Sequence, residues 1–206
     1  MDRFASVKIR GFGTSIFTEM SRLSAEHQAV NLGQGFPDFP GPDFVKEAAK
    51  AAIDADLNQY APSHGTPRLR AAIATTFEKR TGRTVDVDAE ITVTSGATEA
   101  IFDVIQALLD PGDEIILFEP FYDSYKASAV IAGAVPKFVT LQAPDWSFDP
   151  EALRAAITPR TRAILLNTPH NPTGKVFSRD ELELIAGLAQ EHDLVVITDE
   201  VYDRIL

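Results

Sequence analysis

Five short, mostly apolar runs, at residues 91–94, 114–118, 135–141, 162–166 and 194–198, alternate with helical stretches near 98–109, 122–132, 150–157 and 179–191. Runs of that length and character suit strands buried on both faces. Helical crossovers between them predict an α/β fold built on a doubly wound, largely parallel sheet. Ser178 with Glu181 has the pattern of a capping box, and Asp149-Pro150 suits another helix start. Upstream, residues 43–56 and 67–80 carry helical spacing with many alanines, separated by the turn-like Pro62-Ser63-His64-Gly65. Residues 1–44 read as irregular, with Gly and Pro densest at 31–40.

Composition narrows the function classes. The chain has 206 residues, 45% hydrophobic and 24% charged, which reads as soluble and globular. No apolar run approaches the roughly 20 residues that cross a bilayer. The opening MDRFASVKIR has no apolar core of a secretory signal. Cysteine is absent, which excludes disulfides and thiolate chemistry and fits a reducing, cytoplasmic setting. A net charge of −11 disfavours a nucleic-acid backbone as partner. No phosphate-binding G-x-x-x-x-G-K-[ST] and no dinucleotide G-x-G-x-x-G occurs, and no metal is expected.

In a parallel sheet ligands collect outside the carboxyl ends of the strands. After 91–94 comes Ser95-Gly96-Ala97-Thr98-Glu99-Ala100. These small residues lead into a helix, which makes either a simple N-cap or a phosphate site of free N–H groups at the positive end of a helix dipole. After 114–118, the Pro120 break presents Phe121 and Tyr122. Phe121 reads as core, and Tyr122 either packs or lies flat on a planar heteroaromatic ligand. After 162–166, the octet Asn167-Thr168-Pro169-His170-Asn171-Pro172-Thr173-Gly174 makes a rigid loop. Its Asn171 carboxamide can donate to a phenolate oxygen without titrating. His170 reads as a loop histidine, since nothing in the sequence pairs with it. At the end of 194–198, Asp199 closes an apolar strand, where a carboxylate needs a partner unless it caps the next helix. Tyr202 lies three residues on, on the same side of a helical turn.

Together the four strand ends want a phosphate, a ring face, a donor to a phenolic oxygen and a carboxylate for a pyridine nitrogen. Pyridoxal 5'-phosphate carries all four counterparts. The stretches NLGQGFPDFP (31–40), NQY (58–60) with Gly65 and Leu69-Arg70, EPFYDSY (119–125), NTPHNPTG (167–174) and TDEVY (198–202) span essentially the whole chain. On them it resembles the class I/II aminotransferases of pyridoxal-phosphate fold type I. The resemblance is greatest to the branch with kynurenine/glutamine, methionine and N-succinyldiaminopimelate aminotransferases.

That resemblance implies roles. The N–H groups of Ala97 and Thr98 hold the phosphate, and Tyr122 stacks on the pyridine ring. Asn171 and Tyr202 bond the phenolic oxygen, and Asp199 pairs with the ring nitrogen. Gly35 and Asn171 face the substrate, an amino acid or 2-oxo acid, and Tyr60 reaches the partner subunit's active site in a homodimer. Residues 1–44 become an N-terminal arm with part of a small domain, and 45–206 a partial cofactor-binding large domain.

No lysine follows Asp199, and Lys175 does not occupy the family's position. The Schiff-base lysine and the arginine for the substrate carboxylate are therefore expected beyond Leu206. The chain reads as an N-terminal fragment without catalytic residues of its own, marginally stable and inactive alone. The expected whole is a transferase of amino-acid metabolism. A carbon–sulfur β-lyase with the same cofactor, and a non-catalytic cofactor-binding or dimerisation module, are the alternatives.

Overall fold

A computed structural model describes residues 4–35, 37 and 39–205. Phe36 and Asp38, within the 31–40 motif, lie outside the described residues. Backbone contacts group the chain into two units. One runs from Thr14 to Thr94; the other joins the described residues up to Gly13 with those from Ser95 onward.

The first unit carries three helices, α1 (Ile16–Glu26), α2 (Asp43–Asp54) and α3 (Pro67–Thr81). Helix α1 corrects the expectation of an irregular N-terminal 44 residues. Ser15 caps it, its hydroxyl accepting from the Thr18 N–H at 3.2 Å. Pro67 opens α3 at a position whose N–H the helix does not use. Buried Arg70 donates to the carbonyls of Gly65 and Val87 and to Asp88, and so fixes the loop before α3. Gly65 has φ +101°, and a Cβ there would meet the Val93 side chain at 2.5 Å, so only glycine fits. Residues 91–94, expected as a strand, form no ladder among the described residues. Their Val93 N–H is taken by the His64 carbonyl at 3.1 Å within the same unit.

The second unit holds the sheet. Its strands are β1 (Glu114–Glu119), β2 (Val135–Thr140), β3 (Thr161–Asn167) and β4 (Val195–Asp199), all parallel, in the order β2-β1-β3-β4. Between them run α4 (Ala97–Leu108), which precedes β1, then α5 (Asp123–Ala132), α6 (Pro150–Ala156) and α7 (Arg179–Glu191). The expected starts of the last two hold. Asp149 accepts from the Glu151 N–H with Pro150 opening α6, and Ser178 and Glu181 form a reciprocal capping box.

Side-chain alternation explains the three layers. Ile115 and Leu117 of β1, Ala163 and Leu165 of β3 and Ile197 of β4 pack with Ile101, Ile105, Tyr125 and Ala129 of α4 and α5. Ile116, Phe118, Ile164 and Leu166 belong to the opposite cluster, with Leu153, Ile185 and Leu188 of α6 and α7 and the rings of Phe148 and Phe177. Each Ile, Leu or Phe side chain among these is worth roughly 1.5–3 kcal/mol when fully buried, so both faces hold the sheet. On the outer strand β4 the cover is partial: Ile197 is buried, whereas Val195 is 45% exposed. At the amino end of the sheet, fully buried Glu114 accepts from Thr158 Oγ1 at 2.6 Å and from Arg160 Nη2 at 2.7 Å. The Thr158 hydrogen bond, helped by Arg160 and Lys137, holds its carboxyl below the usual range although burial opposes this.

Candidate functional site

The strand order reverses direction at β1. From β1 the chain passes to β2 on one side, then returns to lay β3 on the other. Such a reversal leaves a crevice at the carboxyl ends of the two central strands. A cavity of about 230 Å³ lies here. Ala97, Thr98, Tyr122, Asn171, Asp199 and Tyr202 all line it, joined by Ile101, Tyr125, Asn167 and Val201.

Asp199 ends β4, opposite Asn167 in the β3 ladder, and is 8% exposed. Its Oδ2 accepts the Tyr125 hydroxyl at 2.7 Å and its Oδ1 the Val201 N–H at 3.1 Å. Its carbonyl accepts from Asn167 Nδ2 at 3.0 Å and from the Thr168 N–H at 3.1 Å. The carboxylate thus closes a local turn and lines the cavity at once; a turn, not the helix that a capping role supposes, follows it. Burial, and then the hydrogen bond to Asp199 and its charge, push the Tyr125 hydroxyl above the ordinary phenol range, which keeps it a donor.

Asn167, itself buried, takes the Asn171 N–H on Oδ1 at 2.7 Å. Asn171 then donates through Nδ2 to the Tyr202 hydroxyl at 3.3 Å. Tyr122 is the N-cap residue of α5, and its half-buried ring meets Tyr125 edge-on, centres 6.0 Å apart at 69°. Phe121 stacks on Phe138 at 5.4 Å and packs on the core, as its sequence reading has it.

Gly96, at φ +84°, is the N-cap of α4 and brings no side chain to the first turn. Neither Ser95 nor Thr98 occupies the capping position. The Glu99 carboxylate accepts from the Ser95 N–H. The N–H groups of Ala97 and Thr98 belong to the first turn, where a helix supplies no carbonyl partner.

Gly35 and Tyr60 belong to the other unit; both are exposed, Tyr60 completely. His170 is more than a loop residue. It is 4% exposed, its Nδ1 lies 2.8 Å from Thr173 Oγ1, and burial with the nearby Lys175 charge lowers it to about 4. Tyr125 and Asn167 escaped the sequence reading, although both lie in stretches it singled out. The spacing of three from Tyr122 and the place at the tip of a buried strand were the available signals.

No Lys, Arg or His is among the described residues lining the cavity. It offers a buried carboxylate, helix N-terminal N–H groups, an aromatic face and an amide–hydroxyl pair. The site's groups fit a flat ligand with a protonated ring nitrogen, a phenolic oxygen and a phosphate, which pyridoxal phosphate carries.

The Aminotransferase class I and II family profile matches residues 27–206, and the chain belongs to that family. Members of the family depend on pyridoxal phosphate. The chain is 45% identical to human kynurenine–oxoglutarate transaminase 1, over 95% of this chain and 49% of that protein. Its fold superposes on the methionine aminotransferase YbdL of Escherichia coli with a TM-score of 0.92 at 43% identity, covering 97% of this chain and 52% of that one. The N-succinyldiaminopimelate aminotransferase of Mycobacterium tuberculosis gives 0.91 at 48% identity, covering 96% and 52%. The chain spans about half the length of the curated relatives it matches.

Proposed function

We propose that the protein at its full natural length transfers an amino group from an amino acid to a 2-oxo acid with pyridoxal phosphate, and that this chain supplies most of the cofactor's cradle. The Asp199 carboxylate carries the reading. It is buried beside the cavity, aligned by Tyr125 and Val201, with no cationic side chain among the described lining residues. A carboxylate so placed suits a protonated ring nitrogen.

Bound pyridoxal phosphate supplies an electron sink for charge developing at the substrate Cα. Asp199 keeps the ring nitrogen protonated. Tyr122 offers its ring face, Asn171 and Tyr202 hold the phenolic oxygen, and the N–H groups of Ala97 and Thr98 hold the phosphate. Gly35 and Asn171 serve the substrate, and Tyr60 serves the partner subunit of a homodimer. The lysine and arginine of the reaction come from sequence outside these 206 residues. In this proposal residues 1–44 form an arm with part of a small domain, 45–206 belong to the large domain, and the protein works in the cytoplasm. No helix among the described residues is long and apolar enough to cross a membrane.

The test is to express the protein at full length, titrate pyridoxal phosphate by absorbance, and offer amino acids with a 2-oxo acid. Stoichiometric uptake with transfer of the amino group is the expected result. Cleavage of a carbon–sulfur bond without transfer would identify a β-lyase instead. Uptake without turnover would identify a non-catalytic module.

A further inference from the structure

Lys175 follows the cavity loop, and its side chain is only 8% exposed. Its ammonium lies 2.8 Å from Glu181 Oε1 and 5.0 Å from the centre of the Phe177 ring. The other Glu181 oxygen accepts from the Ser178 N–H at 2.8 Å. One carboxylate therefore closes the first turn of α7 and neutralises a buried lysine. Burial pushes the Glu181 carboxyl up, but Lys175 and the Ser178 bonds outweigh it and keep the group ionised.

The Lys175 backbone is tied to the loop above it. Its carbonyl accepts from the His170 N–H at 2.8 Å, and its N–H donates to Thr173 Oγ1 at 3.2 Å. That hydroxyl also meets His170 Nδ1, and His170 is followed by Asn171, whose carboxamide faces Tyr202. A capping box needs no lysine, and a lysine stem covering a core ring ordinarily leaves its ammonium in water. Here the ammonium is enclosed as well, beside the capping-box carboxylate of the next helix.

We propose that Lys175 and Glu181 are a positioning pair. Their ion pair clamps the Asn171 turn to α7 and sets the carboxamide's angle at the cavity before any ligand arrives. The proposal rests on the cofactor reading above. It differs from a role in stability alone because its effect on ligand binding passes through Asn171.

A double-mutant cycle separates the two roles. The pyridoxal phosphate dissociation constant of the full-length protein is measured by equilibrium dialysis for K175M, N171A and the double variant, with unfolding midpoints alongside. E181Q joins the cycle, because glutamine still accepts the Ser178 N–H and removes only the charge. K175M and E181Q should each weaken binding about tenfold, the scale seen for residues that orient a ligand-holding group. K175R should recover most of the loss. With Asn171 already alanine, either substitution should change binding by no more than roughly twofold. Equal weakening in both backgrounds, or wild-type affinity in both, overturns the proposal. If K175M fails to fold, the E181Q arm decides. A wild-type protein that takes up no pyridoxal phosphate overturns the cofactor reading and this proposal together, whereas normal uptake with additive losses overturns this proposal alone.

Discussion

Tyr125 and Asp199, 74 residues apart, are joined by a 2.7 Å hydrogen bond that runs from the first turn of α5 to the tip of β4. The bond ties the helical layer to the outer strand at the edge of the cavity. Tyr125→Phe keeps the buried ring and removes only the hydroxyl. A hydrogen bond to a charged group contributes about 1.5–3 kcal/mol, so the variant should lose about that much stability in urea unfolding of the full-length protein. An unchanged midpoint would mean that the bond contributes nothing net.

Asp199→Ala removes the only carboxylate among the described residues lining the cavity. In the full-length protein kcat/KM for amino transfer should fall at least ~10²-fold, because the ring nitrogen loses its charge partner. Near-normal turnover would reduce Asp199 to its local turn with Val201.

At Tyr122 the hydroxyl and the ring can be separated. Tyr122→Phe should bind pyridoxal phosphate nearly as wild type, while Tyr122→Ala should lose on the order of 1 kcal/mol of binding. Equal dissociation constants for the two variants would show that the ring serves only the core of α5.

His170 predicts a pH dependence. Its folded value, about 4, lies below the ordinary 6.5. Between those values the unfolded chain binds the extra proton, so stability rises with pH across that window. The contribution is complete above about pH 6.5 and is lost as pH falls toward 4. Urea midpoints between pH 7.5 and 4 should show this slope, and His170→Gln should remove its share. An identical slope in the variant would place the acid sensitivity elsewhere, with Glu114 the next group to test.

Much of the sheet unit was legible because its signals are local. Apolar runs marked β1 to β4, and the Ser178–Glu181 box and Asp149-Pro150 marked α7 and α6 within a residue. The run at 91–94 has the same composition as a strand, but a strand also needs a neighbour, and composition says nothing of neighbours. Helix α1 was hidden because the Gly and Pro around it drew the whole segment into an irregular reading, although Ser15 was in place to cap it. At the site, Asp199 announced itself as a carboxylate closing an apolar strand, whereas Asn167, which closes β3, blended into the loop it opens. Tyr125 did not, since its partner is 74 residues away and its role is to hold another side chain. His170 gave no signal for the opposite reason: its partner, Thr173, lies in the same short loop and is an ordinary residue there.

The strand order has a consequence for how the site comes into being. Its parts are synthesised in the order α4, Tyr122–Tyr125, Asn167–Asn171 and Asp199–Tyr202, and among the described residues β4 pairs with β3 alone. During translation the early segments emerge with the Tyr125 hydroxyl and the Asn167 carboxamide still lacking their acceptors on Asp199. The cavity gains the Asp199 carboxylate in the same event that pairs β4 with β3. A cavity that carries a carboxylate is thereby contingent on the pairing of β4 with β3, two segments that emerge about thirty residues apart.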